Sequence, residues 1–119
     1  SSHQPSVLLV EDNKINSLLT KTLILKKYPL AKIHEAENGL EALKLYKSEQ
    51  PDLVLMDIQM PIMNGYEATN EIRKINPKAH IVLVDYSNPF YNDYYLPTGN
   101  LRLALVPDTS IFEPCSRIT

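Results

Sequence analysis

The sequence predicts an α/β fold in which a parallel sheet is wrapped by helices, and three observations carry that prediction. Apolar runs recur at Ser6 to Val10, Leu53 to Met56 and His80 to Val84, the pattern of strands buried on both faces. Between them lie segments whose apolar residues fall at helical spacing. Proline, glycine and asparagine punctuate the junctions. Strand and helix alternate three times in this way, which calls for right-handed crossovers between parallel strands. A chain of 119 residues holds one such core and is too short for two.

In chain order, Ser6 to Val10 reads as a central strand that stops at Glu11-Asp12-Asn13. Asn13 suits an N-cap, and Ile15, Leu18, Leu19, Leu23 and Ile24 then mark one face of a helix from Lys14 to Lys27, closed by Tyr28-Pro29. Lys32 to Ala36 mixes apolar with charged residues and reads as an edge strand. Asn38-Gly39 makes a turn into a second helix with Ala42, Leu43 and Tyr46 on its inner side, running to about Glu49 before Pro51. Leu53 to Met56 is the third strand, ending in Asp57, with Pro61 and Gly65 in the loop behind it. Tyr66 to Ile75 is an amphipathic third helix, with Ala68, Ile72 and Ile75 on one face. His80 to Val84 is the fourth strand.

Beyond Asp85 the pattern loosens. Asn88-Pro89 suits a helix start, but Phe90 to Leu96 carries no helical stripe, Pro97 to Asn100 reads as a turn, and Leu101 to Val106 reads as a fifth strand. Pro114 interrupts the residues after Pro107, which argues against a final helix of three turns. There is no internal repeat and no low-complexity tract. Ser1 to Pro5 is read as an N-terminal tail, leaving residues 6–119 as a single domain, regular to about Val84 and atypical over 85–119.

Composition narrows the function. The chain is 44% apolar and 22% charged, with a net charge of -2. No basic excess points to nucleic acid, and no apolar run approaches the ~20 residues of a membrane helix, so a cytoplasmic setting is expected. Cys115 has no second cysteine to pair with, and His3, His34 and His80 are scattered, which argues against thiol or zinc chemistry. An isolated histidine such as His34 on an edge strand reads as ordinary surface.

The chemistry sits in the carboxylates. In an open parallel sheet, ligands bind beyond the carboxyl ends of the strands, where strand order reverses. For the order 2-1-3-4-5, which the edge-like second strand supports, that point lies between the first and third strands. Those strands end in Glu11-Asp12 and Asp57, about 4.8 Å apart. Three carboxylates in one crevice repel, and they either raise a pKa or hold a cation. A hard divalent ion that accepts oxygen ligands and keeps several waters, Mg2+, suits an open crevice. With its charge offset, a carboxylate there can attack phosphorus. Acids that merely cap strand ends in solvent are the competing explanation.

These residues resemble the receiver domain of two-component response regulators. The matching pieces are Val7-Leu8-Leu9-Val10-Glu11-Asp12-Asn13 with Asn16, Ala36-Glu37-Asn38-Gly39-Leu40-Glu41-Ala42-Leu43, and Met56-Asp57-Ile58-Gln59-Met60-Pro61-Ile62-Met63-Asn64-Gly65-Tyr66-Glu67-Ala68. The wording is most like receivers of hybrid sensor histidine kinases. The resemblance implies a flavodoxin-like, doubly wound, five-stranded parallel sheet of order 2-1-3-4-5. It implies that Asp57 is the phosphoacceptor, taking its phosphoryl group from a phosphohistidine on a histidine kinase or a histidine phosphotransfer domain. Glu11, Asp12 and Asp57 would hold Mg2+ together with the backbone carbonyl of Gln59, and the Gln59 side chain would stand near the phosphoryl group.

The resemblance holds from about Ser6 to Val84 and then departs. Where a receiver carries Thr or Ser after its fourth strand, gapless extension places Asp85, with Ser87 two residues further on. The lysine of the family's Lys-Pro pair falls near Val106-Pro107, where only the proline is kept, and the aromatic switch position falls near Leu103. Arg102 is the nearest substitute cation. Three accounts of residues 85–119 stand side by side: a degenerate receiver, a tail rebuilt for another contact, and an altered chain end. The group Tyr86, Phe90, Tyr91, Tyr94 and Tyr95 suits either local packing over the sheet or a contact surface that promotes self-association.

The expected function is thus a phosphoacceptor module of a phosphorelay, regulatory and not a turnover enzyme. A pseudo-receiver, binding its partner independently of phosphorylation, is the alternative. A phosphohydrolase using Asp57 is disfavoured, because the Asp-x-Asp arrangement of aspartate-nucleophile phosphatases is absent and Gln59 stands two residues on.

Overall fold

A computed structural model describes residues 4–58, 60–84, 91–96 and 99–104, the last two stretches as backbone strands. The elements are β1 (Ser6–Val10), α1 (Lys14–Lys27), β2 (Lys32–Ala36), α2 (Gly39–Glu49), β3 (Leu53–Asp57), α3 (Gly65–Ile75), β4 (Ile81–Val84), β5 (Tyr91–Leu96) and β6 (Gly99–Ala104). The strand order is β2-β1-β3-β4-β5-β6. β2, β1, β3 and β4 are parallel, with β2 at the edge, as the sequence predicts. No helix among the described residues is long and apolar enough to cross a membrane.

The expected fifth parallel strand is corrected. β5 runs antiparallel to β4, with Val84 opposite Asn92, and β6 runs antiparallel to β5, with Leu96 opposite Gly99. Chain length explains the reversal. A parallel return needs a crossover of roughly a dozen residues, whereas 85–90 alone separate β4 from β5, and Pro97 and Thr98 alone separate β5 from β6. The stretch read as the fifth strand, Leu101 to Val106, overlaps β6 instead.

Successive strand residues feed two cores, as expected for strands covered on both sides. On one face Leu8, Val10, Val54, Met56, Ile81 and Leu83 pack with Ala42 and Tyr46 of α2 and Ala68 and Ile72 of α3. On the other, Val7, Leu9, Leu53, Leu55, Val82 and Val84 pack with Ile24 of α1, with Tyr28 at the margin.

The inner face expected for α1 is corrected as well. Ile15, Leu18 and Leu19 are 71%, 62% and 60% exposed, and the buried residues of the helix are Ser17 and Ile24. Apolar residues lie on both sides of α1, so spacing alone does not orient it. What seats the helix is Ile24, fully buried in the core, together with Ser17, whose hydroxyl donates to Glu35 Oε1 at 2.8 Å, while Lys21 Nζ reaches Glu35 Oε2 at 3.1 Å. The Ser17 hydrogen bond is the main reason that the Glu35 carboxyl sits below its ordinary range. Ile24→Ala is therefore expected to cost about 2–5 kcal/mol in chemical denaturation. Leu18→Gln and Leu19→Gln should each stay within about 0.5 kcal/mol. Equal costs at the three positions would contradict this seating of α1.

Candidate functional site

β1 and β3 are neighbours, and Val10 is in register with Met56. The next residue on each strand, Glu11 and Asp57, therefore emerges at the same level of the sheet edge. Glu11 N–H donates to Ala36 O at 2.9 Å, which carries the β1–β2 ladder one residue past Val10 and fixes the backbone there. Asn13 then caps α1, its Oδ1 accepting from the N–H groups of Ile15 at 2.9 Å and Asn16 at 3.1 Å. The start of α1 thus points its positive dipole end at the carboxylates.

Carboxylate oxygens of Glu11, Asp12 and Asp57 all lie within 4.8 Å of one another. Glu11 and Asp57 are 5% and 6% exposed, whereas Asp12 is open to solvent. Glu11 Oε1 accepts from the Asn13 N–H at 2.8 Å, and Oε2 is buried without a hydrogen-bond partner among the described residues. Burial first, and then the neighbouring Asp57 charge, pushes the Glu11 carboxyl up to about 8, against the lowering effect of the Asn13 N–H. A buried orphan oxygen beside two further carboxylates is a donor set suited to a cation. An all-oxygen set of three acids with an open side fits a hard divalent ion that keeps part of its water, which is Mg2+ chemistry. A cavity of about 490 Å³ adjoins the cluster, lined by Glu11, Asp12, Ser17, Leu18, Glu35 and Glu41 among others.

The loop from β3 to α3 is held at several points. Gly65 N–H donates to Ile58 O at 2.9 Å, and a Cβ on Gly65 would lie 2.4 Å from the Asp57 carbonyl oxygen. Met63 N–H donates to Pro61 O at 2.8 Å, closing a three-residue turn over Ile62, whose φ is 71°. Asn64 and Glu67 form a reciprocal capping box at the start of α3.

The structure brings together Glu11, Asp12 and Asp57 from the sequence-predicted set. Gln59, Asp85, Ser87 and Val106 lie outside the described residues, as do Tyr86 and Phe90. Leu103 lies on β6 opposite Asn92, with its side chain outside the described set. Two supports of the site are invisible to sequence reasoning. The Asn13 N–H holds Glu11, and the one signal for it is the N-cap position two residues after the acid. Gly65 looks like loop punctuation, and its close approach to Asp57 has no signature in a single sequence.

Comparison with known proteins agrees with this geometry. The family model for the response regulator receiver domain matches residues 7–92. The chain is 46% identical over 77 residues to the chemotaxis protein CheY of Halobacterium salinarum, covering 65% of this chain and 62% of that one. It is 34% identical over 82 residues to the autoinducer 1 sensor kinase/phosphatase LuxN of Vibrio campbellii, covering 69% of this chain and 9% of that one. Among solved structures, the response regulator domain of Thermotoga maritima CheB superposes with a TM-score of 0.63 at 32% identity, over 70% of this chain and 61% of that one. The receiver domain of sensor histidine kinase PA1611 from Pseudomonas aeruginosa, solved with a magnesium ion coordinated in its active site cleft, gives 0.62 at 28% identity, over 68% and 66%. With the family model covering most of its length and the carboxylates gathered at the β1 and β3 ends, the chain belongs to the response regulator receiver domains of two-component signalling.

Proposed function

We propose that this domain accepts a phosphoryl group at Asp57 from a phosphohistidine of a histidine kinase or histidine phosphotransfer domain, and that Glu11, Asp12 and Asp57, with the Gln59 carbonyl, hold the Mg2+ this requires. The observation that carries the reading is the convergence of three carboxylates within 4.8 Å at the ends of adjacent strands. An Asp57 oxygen forms the new bond to phosphorus as the phosphorus–nitrogen bond of the donor breaks, and the leaving imidazole nitrogen is protonated from solvent. When bound, Mg2+ supplies positive charge against the transferring phosphoryl oxygens. The Asn13 N–H keeps Glu11 turned into the site, and the sheet edge fixes the Asp57 backbone, so positioning is in place before the donor arrives. A protein donor is supported by the surface beside the acids. Ile15 and Leu18 stand exposed on α1, a helix that carries four lysines and no acid, which suits a donor offering apolar and acidic groups.

The test is intact-mass measurement after incubation with Mg2+ and acetyl phosphate. The wild-type chain is expected to gain one phosphoryl mass, removed by chelation of Mg2+ beforehand and absent in Asp57→Asn. No adduct, or an adduct unchanged by Asp57→Asn, would refute the assignment.

A further inference from the structure

We propose that Gly39, the first residue of α2, is a positioning residue for the phosphoacceptor site, acting through Met63; this rests on the reading of Asp57 as phosphoacceptor beside a Mg2+ site. The loop that joins Asp57 to α3 needs support at its crown. Its root is fixed by Gly65 against Ile58 and Asp57, but its crown turns over Ile62, which is 74% exposed and sits at a φ of 71°. That conformation is unfavourable for a β-branched side chain and persists only where neighbours hold it.

The neighbour is α2. A Cβ built on Gly39 would lie 2.7 Å from both Cβ and Cγ of Met63 and 2.8 Å from the Met63 carbonyl oxygen, all closer than carbon and oxygen atoms normally approach. Two of the three atoms belong to the Met63 backbone and its first side-chain carbon, so rotation of the side chain does not relieve the conflict. The helix start, in turn, is fixed. Asn38 Oδ1 accepts from Glu41 N–H at 3.0 Å, and Ala42 and Tyr46 of α2 are buried in the core. Gly39 is not in the left-handed region, and alanine is the better helix former, so neither backbone conformation nor helix propensity calls for glycine here. The contact with Met63 does. Met63 is itself seated against the same core, so the start of α2 forms a floor under the loop whose other end carries Asp57.

The experiment compares the wild type with Gly39→Ala by calorimetric Mg2+ titration, by the rate of labelling with acetyl phosphate, and by thermal melting without metal. Gly39→Ala is expected to lower Mg2+ affinity about tenfold, as loss of a support behind a metal site does. Labelling should slow in parallel, and metal-free melting should fall through the overpacking against Met63. Adding Met63→Gly to Gly39→Ala, which removes the two carbon conflicts, should recover part of the affinity. If Gly39→Ala does not fold, Met63→Gly alone carries the test and should weaken Mg2+ binding severalfold by removing the side chain that rests on α2. Unchanged Mg2+ affinity in a folded Gly39→Ala, or in Met63→Gly where that variant carries the test, overturns this role. Failure of the wild type itself to bind Mg2+ overturns instead the phosphoacceptor reading on which it rests.

Discussion

Without divalent cation, this domain is expected to lose stability as pH rises from about 4.5 toward about 8, and Mg2+ is expected to reverse that loss. The cause is Glu11, whose carboxyl is pushed up to about 8 by burial and by Asp57 from an ordinary value of 4.5. Below 4.5 it is protonated in both folded and unfolded chains, and its contribution is complete. Between the two values the unfolded chain releases the proton while the folded chain keeps it, so the folded state binds more protons and stability falls with pH. At about 1.4 kcal/mol per pH unit, the loss amounts to a few kcal/mol at most.

Mg2+, held as proposed, would take the ionised form and compete with that proton. Its affinity should therefore rise across the same window, with proton release visible as a buffer-dependent heat of binding. At a concentration a hundredfold above Kd it restores about 2.7 kcal/mol. His80 works in the opposite direction, since burial and then Arg73 hold it below its usual range and favour the folded state as pH rises toward 6.5. The informative quantity is thus the difference between the wild type and Glu11→Gln in urea denaturation from pH 5 to 8. Glu11→Gln should flatten the decline and weaken the Mg2+ response. Parallel pH profiles for the two proteins, with or without Mg2+, would remove Glu11 from this role.

The parts of the fold legible in the sequence are those where local pattern and tertiary demand coincide. The apolar runs at Val7 to Val10 and Leu53 to Met56 are buried on both faces, as continuous runs require, and β2 shows its edge position in Lys32 and Glu35. The three acids are legible because Glu11 and Asp12 directly follow β1 and Asp57 ends β3, and the strand order then places them. The inner face of α1 is not, since Ile15, Leu18 and Leu19 match a helical stripe but face outward, and the buried side is marked instead by Ile24 and by a hydrogen bond from Ser17 to Glu35. That bond joins residues on different elements, which periodicity does not register. The reversal at β5 is hidden for a related reason. Leu101 to Val106 looks like a strand by composition, and direction is set by connection length, which counts only once β5 is known to begin at Tyr91. Of the supports of the Asp57 loop, the Asn64–Glu67 capping box has a residue-type signature, whereas the close approaches at Gly39 and Gly65 have none beyond glycine itself.

Those supports give opposite expectations for two neighbouring substitutions. Gly65→Ala places a Cβ 2.4 Å from the Asp57 carbonyl oxygen, and the backbone on both sides is fixed, by the Gly65 to Ile58 hydrogen bond and by the pairing of Asp57 with Val84. Better helix propensity offsets at most about 1 kcal/mol, and overpacking costs about 1–3 kcal/mol or more where nothing yields. Either the loop moves away from β3 or the Asp57 end of β3 yields, and both disturb the surroundings of the Asp57 carboxylate, so labelling by acetyl phosphate should fall, by about a hundredfold if the displacement at the carboxylate nears 1 Å. Ile62→Gly acts on the same loop from the strained side. Relief at a φ of 71° yields about 1–3 kcal/mol, against about 0.5–1 kcal/mol for the added freedom of glycine in the unfolded chain, so the variant should be stabilised by about 1 kcal/mol. Its labelling should slow only modestly, because Gly65 still fixes the root of the loop. Denaturation and labelling measured on both variants separate the two causes. A Gly65→Ala chain as stable and as readily labelled as the wild type would show that the loop is free to shift, and a destabilised Ile62→Gly chain would show that its turn carries no strain.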